Sequence, residues 1–124
     1  MVAQLSALRL TLPLPPNRGN ARWHWRVENR KKQLYMTEAA VWRSQNGTKR
    51  PTLPLERARL SVCLFTWATM DEDNLWARTK WTRDFLKHDG WIEDDSPRVL
   101  MHDTIAQRID RKNPRIEITL EPVA

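Results

Sequence analysis

A single cysteine, Cys63, stands in a chain of 124 residues. One thiol excludes an intramolecular disulfide and any zinc site built from cysteines, and it fits a reducing compartment. The three histidines, His24, His88 and His102, lack the tight ligand spacing of a zinc centre, so each reads as a surface or packing residue. No apolar run approaches the length of a membrane span, and the first residues lack the basic-then-apolar layout of a secretory signal. The expectation is a cytoplasmic protein with no membrane partner and no nucleotide cofactor.

Against these scarcities stand seven tryptophans and a 40% apolar content. Each indole can bury a large area, so a core is within reach, and the length suits one domain spanning 1–124. The formal charge is +6 and the pI is near 10.1. A basic surface gains free energy by displacing the counterions condensed on nucleic acid, which makes DNA the expected partner class. The charge is unevenly spread. Residues 71 to 95 hold eight carboxylates and four lysines or arginines, a net of −4 that leaves +10 elsewhere. An acidic island in a basic chain can hold cations while its surroundings hold phosphates.

The hydropathy pattern predicts an α/β (α+β) fold with a small mixed sheet, element order β-α-β-α-β-β, and helices packed on the sheet. Leu8, Leu10 and Leu12 alternate with polar residues as a strand ended by Pro13, Pro15 and Pro16. From Asn17 to Lys32 the chain is basic and aromatic without apolar period, and reads as an exposed loop. Thr37 is positioned to cap a helix through Ala39 to Trp42, and Asn46-Gly47 to stop it. Between Arg57 and Trp67 both alternating faces are partly apolar, the mark of a central strand. Asn74 to Lys87 has helical spacing with Gly90 as its C-terminal glycine, and Val99–Ile109 and Arg115–Leu120 read as strands joined by a turn.

Asp71 and Asp73 follow the central strand, and residues two apart in extended chain project to one side. The helix and Gly90 turn then return Glu93, Asp94 and Asp95. Carboxylate oxygens suit hard cations such as Mg2+ or Mn2+, whose chemistry on DNA is phosphodiester hydrolysis. Lys80, one helix away, can act as a point charge on phosphate. A plainer reading stands beside each: Asp73 as a helix N-cap with Asp71 and Glu72 favouring the helix dipole, residues 93–95 as a solvated loop, and Lys80 as a surface residue.

The run Asp71-Glu72-Asp73-Asn74-Leu75, followed by Lys80, Asp84, Leu86, Gly90 and Asp94-Asp95, resembles the signature of RusA-type Holliday junction resolvases, notably phage and prophage versions. Leu12-Pro13-Leu14-Pro15-Pro16 with Asn17 and Asn20 is similar to that family's start. The resemblance implies a homodimer of mixed α/β subunits that nicks four-way DNA junctions symmetrically with Mg2+ or Mn2+. It would make Asp71, Asp73 and Asp95 the metal-binding catalytic acids, with Asp94 as the rival third ligand, and Lys80 an essential catalytic partner. Two departures stand out: about three extra residues between Leu75 and Lys80, a length change of the kind loops absorb, and Trp67-Ala68-Thr69-Met70 where some members carry basic residues.

DNA contacts are expected from Asn17, Asn20, Arg22, Trp23, Arg26, Arg30, Lys31 and Lys32, where cations interleave with rings suited to stacking on unpaired bases. Trp23 and Trp25 serve equally well as partly buried core residues. Cys63 reads as an inert thiol. Two further functions fit the same residues: a noncatalytic DNA-binding or regulatory protein, and a nuclease for other branched DNA.

Overall fold

The computed structural model describes residues 6–17, 22–69 and 75–123. Four strands and three helices follow one another as β1 (Leu8–Leu12), α1 (Trp25–Asn46), β2 (Ala58–Thr66), α2 (Leu75–Arg78), α3 (Lys80–His88), β3 (Leu100–Ile109) and β4 (Arg115–Pro122). The strands form one mixed sheet in the order β1-β4-β2-β3. β4 is antiparallel to both β1 and β2, whereas β3 runs parallel to β2. The parallel pair needs a crossover, and α2 with α3 supplies it. This is the mixed α+β architecture that the hydropathy pattern predicts.

Period-two patterning explains the sheet. Ala58, Leu60, Val62 and Leu64 of β2 and Ile116, Ile118 and Leu120 of β4 are buried on one side, where they join Leu10 and Leu12 of β1 and Trp81, Phe85 and Leu86 of α3 in one core. The opposite side of β2 is half-buried at Ser61, Cys63 and Phe65 and exposed at Arg59. Edge strand β1 is covered at its open side: Asn46 Nδ2 donates to the Thr11 carbonyl at 2.9 Å and Thr48 Oγ1 to that of Arg9 at 3.2 Å. Such cover blunts an edge that would otherwise pair with another chain. β3, the other edge, carries a register shift where it passes Leu60 and Val62. Among the described residues no helix is long and apolar enough to cross a membrane.

Two local expectations are corrected. The basic segment read as a loop through Lys32 is helical from Trp25 onward. Thr37 caps nothing; it lies inside α1 and its hydroxyl donates back to the Gln33 carbonyl at 3.0 Å. The N-cap is His24, whose Nδ1 accepts from the Arg26 amide at 3.2 Å. The misreading has a physical cause: this helix buries only Tyr35 and Ala39, so it shows no strong amphipathic period. Its stop is as expected, with Gly47 left-handed at φ 69°.

The second predicted helix is broken in two at Thr79. The Thr79 hydroxyl donates to the Trp76 carbonyl at 2.6 Å, a local bond that competes with the helical ladder. α3 then ends in a double cap. The Trp91 amide donates to the Leu86 carbonyl at 2.9 Å and the Gly90 amide to that of Lys87 at 3.3 Å, with Gly90 at φ 88°. That pair of bonds is the Schellman motif, and it needs the left-handed residue that glycine supplies most cheaply.

Candidate functional site

Three contacts hold α1 and the residues before it against α3 and its C-cap. Trp23, just before α1, lies 6.5 Å from Trp81 between ring centroids. The Tyr35 hydroxyl donates to the Pro13 carbonyl at 2.9 Å and shares a 2.7 Å hydrogen bond with Thr82. Burial pushes the Tyr35 phenol well above its ordinary value, against the opposing Thr82 bond, so it stays protonated and structural. Arg43 grips Asp89 with two bonds of 2.8 and 2.9 Å, and Trp91 Nε1 adds a third at 2.9 Å.

Between these fixed points lies a cluster of charge. Lys32 of α1 donates to Asp84 Oδ2 at 2.7 Å. Lys80, at the start of α3, donates to Asp84 Oδ1 and to Asp95 Oδ2, both at 3.1 Å. Asp84 is on the same helix face as Lys80 because four residues make about one turn. Asp95 arrives from a separate segment held at both ends. On one side Leu55 pairs with Ile92, through bonds of 3.0 Å to the Trp91 carbonyl and from the Glu93 amide. On the other, the Val99 and Leu100 amides donate to the Ser96 carbonyl at 3.0 and 2.8 Å.

Burial works to raise the Asp84 carboxyl, but its hydrogen bonds with Lys32, Asp95 and Lys80 prevail and bring it down to about 2. The hydrogen bonds of Lys80 to Asp95 and Asp84 raise its ammonium, so it stays charged at neutral pH and acts as a donor and point charge rather than a base. Because Asp84 titrates near 3.9 in an unfolded chain, it contributes stability above that value, and this contribution is lost as pH falls through the window down to about 2. Chemical denaturation at a series of acid pH values should show the corresponding fall in wild type and a shallower one in Asp84→Asn. Equal slopes would mean that the carboxyl is not held by its lysines.

The two candidate third acids part company in this arrangement. Asp95 faces Lys80 and Asp84, whereas Asp94 turns toward Lys87 at 3.2 Å, near the other end of α3. Hydrogen bonding to Lys87 lowers the half-exposed Asp94 carboxyl. Asp71 and Asp73 lie outside the described residues, as does Asn20. The chain on either side of their segment is anchored. Gln107 Nε2 donates to Thr66 Oγ1 at 2.7 Å and to the Ala68 carbonyl at 3.1 Å, and Leu75 is buried. The segment follows the carboxyl end of β2 in the parallel pair, the end at which open α/β sheets bind ligands. Among the described residues no three carboxylate, imidazole or thiolate groups gather as a cation site.

The expected DNA-contact residues do not behave as one group. Arg22, Arg26, Arg30 and Lys31 are exposed, as is Asn17, while Trp23 is half-buried against the core with Lys31 Nζ 5.0 Å from its ring centroid. Trp25 is 61% exposed, with the Arg26 guanidinium 5.2 Å from its ring centroid. Lys32 points to Asp84 and belongs to the charge cluster. Asp84 itself carries no role in a residue-by-residue reading beyond its place in the family-like pattern; its spacing from Lys80 was the available signal. His102 stacks on Trp76 at 4.1 Å, and burial, with Arg83 adding to it, lowers its imidazole so that the ring is neutral at neutral pH. The half-buried Cys63 thiol is pushed up by burial, which outweighs Arg108 and Arg115, in keeping with an inert thiol.

No protein-family model matches the chain, and no curated protein matches it either.

Proposed function

We propose that this protein is a metal-dependent, structure-selective endodeoxyribonuclease that resolves four-way DNA junctions as a homodimer in the cytoplasm. The observation that carries the reading is the Lys80 ammonium seated between Asp84 and Asp95. Two carboxylates from different segments already share one cation there, so the locality favours positive charge. Asp71, Asp73 and Asp95 would hold Mg2+ or Mn2+, since an oxygen-only donor set suits hard cations. Bound there, the cation would polarise a phosphoryl oxygen, lower the pKa of an adjacent water and offset charge on the leaving oxygen. Lys80 would donate to a phosphate oxygen, and Lys32 would neutralise Asp84 so that Asp84 does not repel the backbone. The exposed Arg22, Arg26, Arg30 and Lys31 would hold flanking phosphates.

One observation favours a noncatalytic DNA-binding protein instead: Asp84, Asp94 and Asp95 each pair with lysine, which is also what an acid with only a structural task would do. Incubating junction DNA with protein and magnesium separates the two. The nuclease reading expects paired nicks from the wild type, and binding without cleavage from Asp73→Asn. Inertness of the wild type on every branched substrate would leave the binding protein, and cleavage of flaps in preference to four-way junctions would change the substrate.

A further inference from the structure

Trp67 stands on a bend whose backbone is pinned from several sides. It follows the last residue of β2, where β2 and the parallel β3 end side by side with Thr66 opposite Ile109. The Asp110 amide donates to the Thr66 carbonyl at 3.0 Å. Thr66 Oγ1 and Gln107 Nε2 both donate to the Ala68 carbonyl, at 2.9 and 3.1 Å. Arg111 Nε donates to the carbonyl of Trp67 itself at 3.3 Å. The indole, by contrast, is 62% exposed. A scattered exposed aromatic is ordinary. A large ring carried outward on a backbone this constrained is different, because it meets a ligand with little left to order.

The surroundings of the ring are cationic. The Arg111 guanidinium lies over it, 5.8 Å from the centroid, within the range of a cation–π contact. Lys112 comes next in the chain, and both are exposed. The one carboxylate between β3 and β4, Asp110, does not cancel them. It accepts from the Lys112 and Asn113 amides at 3.2 and 3.1 Å and from Arg115 at 2.9 Å, so its charge is taken up within the turn. A ring beside two cations matches both parts of a nucleotide, the π face for its base and the guanidinium and ammonium for its phosphates. A base inside a duplex has both faces covered by its neighbours, so only an unpaired one can lie on the indole. Trp67 is four residues before Asp71, which limits the chain between them to about 14 Å. A base held there is close to the phosphate that the proposed nuclease would cut.

We propose that Trp67 and Arg111, with Lys112, form a stacking site for an unpaired base of DNA and its phosphate at the carboxyl end of β2 and β3. The site rests on the reading above for DNA as its polymer. It names the part of a branched substrate that this corner of the fold holds, the nucleotides at the branch where pairing is interrupted.

Equilibrium binding in metal-free buffer tests the site without involving cleavage. The probes are a labelled oligothymidylate and a long, fully paired duplex. Trp67→Ala is expected to weaken single-strand binding by about tenfold, the loss of one stacked base, and to leave duplex binding within about twofold. Trp67→Phe should keep most of the affinity, since a phenyl ring also stacks. Arg111→Gln should weaken binding to both probes and reduce the salt dependence by about one phosphate contact. Circular dichroism should show the variants folded. Unchanged single-strand affinity in Trp67→Ala, or an equal loss on single strand and duplex, would overturn the site. A wild type that binds in this way yet cuts no branched DNA would sink the nuclease and keep the stacking site. One that cuts junctions while Trp67→Ala leaves single-strand binding intact would do the reverse.

Discussion

Asp95→Asn is expected to slow magnesium-dependent cleavage of a four-way junction by at least about 100-fold, while Asp94→Asn leaves the rate within about threefold of wild type. Loss of a residue that only supports a metal ligand commonly costs 10–100-fold, so loss of the ligand proposed for Asp95 would set the larger figure as a floor. The contrast between neighbours rests on where they point. Asp95 meets Lys80 at 3.1 Å beside Asp84, and Asp94 meets Lys87 at 3.2 Å. Asparagine keeps the shape of aspartate but carries no charge, and therefore cannot serve a hard cation equally well. Junction binding without metal should be retained or tightened in Asp95→Asn, because one negative charge near phosphate is gone. Folding should be little affected, since Lys80 is half-exposed and such pairs contribute at most about 1 kcal/mol. Single-turnover cleavage beside filter binding reads both quantities. A reversed pattern, with Asp94→Asn inert and Asp95→Asn active, would transfer the role to Asp94. Full activity in both variants would remove this segment from the chemistry.

Trp91→Ala is expected to cost about 3–5 kcal/mol of stability, the range for truncating a large buried aromatic. With domains typically stable by only 5–15 kcal/mol, that is a large share of the total. The indole is fully buried, and its Nε1 donates to Asp89 at 2.9 Å. Its backbone amide closes the α3 cap through Leu86, and its carbonyl accepts from Leu55. Truncation therefore opens a cavity at the point where α3 turns back toward the sheet. The arginine fork from Arg43 keeps Asp89 satisfied, so the loss is one of packing more than of charge. Thermal denaturation should show a midpoint lower by about 10–20 °C. The same change at the exposed Trp25 should lower it by no more than a couple of degrees, in line with surface substitutions generally. A small shift for Trp91→Ala would mean that its surroundings collapse to fill the space.

The contrast between those tryptophans illustrates what patterning conveys. Alternation in β1 and β4 was legible because a sheet with one covered face imposes period two on its strands, and β2 because both of its faces are partly apolar. The Gly47 and Gly90 stops were legible because a left-handed residue is a local requirement, met by one residue type above all others. α1 was half-hidden. Only Tyr35 and Ala39 are buried along it, which leaves no strong helical period, and its N-cap is a histidine, a residue seldom used there. The break at Thr79 was equally silent, since it shows only in the bonding, where the Thr79 amide and hydroxyl both turn to the Trp76 carbonyl.

By itself the amino-acid sequence determined the four strands, the presence of helices between the first three, the central position of β2, the acidic island between residues 71 and 95, and the lysine four residues before Asp84. These are properties of neighbours in the chain, and periodicity, turn chemistry and charge counting are sensitive to neighbours. Only the tertiary structure decided that Lys32 joins Asp84 from 52 residues away, that Asp95 rather than Asp94 meets Lys80, and that Trp23 packs beside Trp81. Those outcomes depend on how α1 lies across α3 and on how the Ile92 bridge and Ser96 turn aim two adjacent carboxylates in different directions. Such directions are set by contacts between segments far apart in the chain, which local pattern cannot encode.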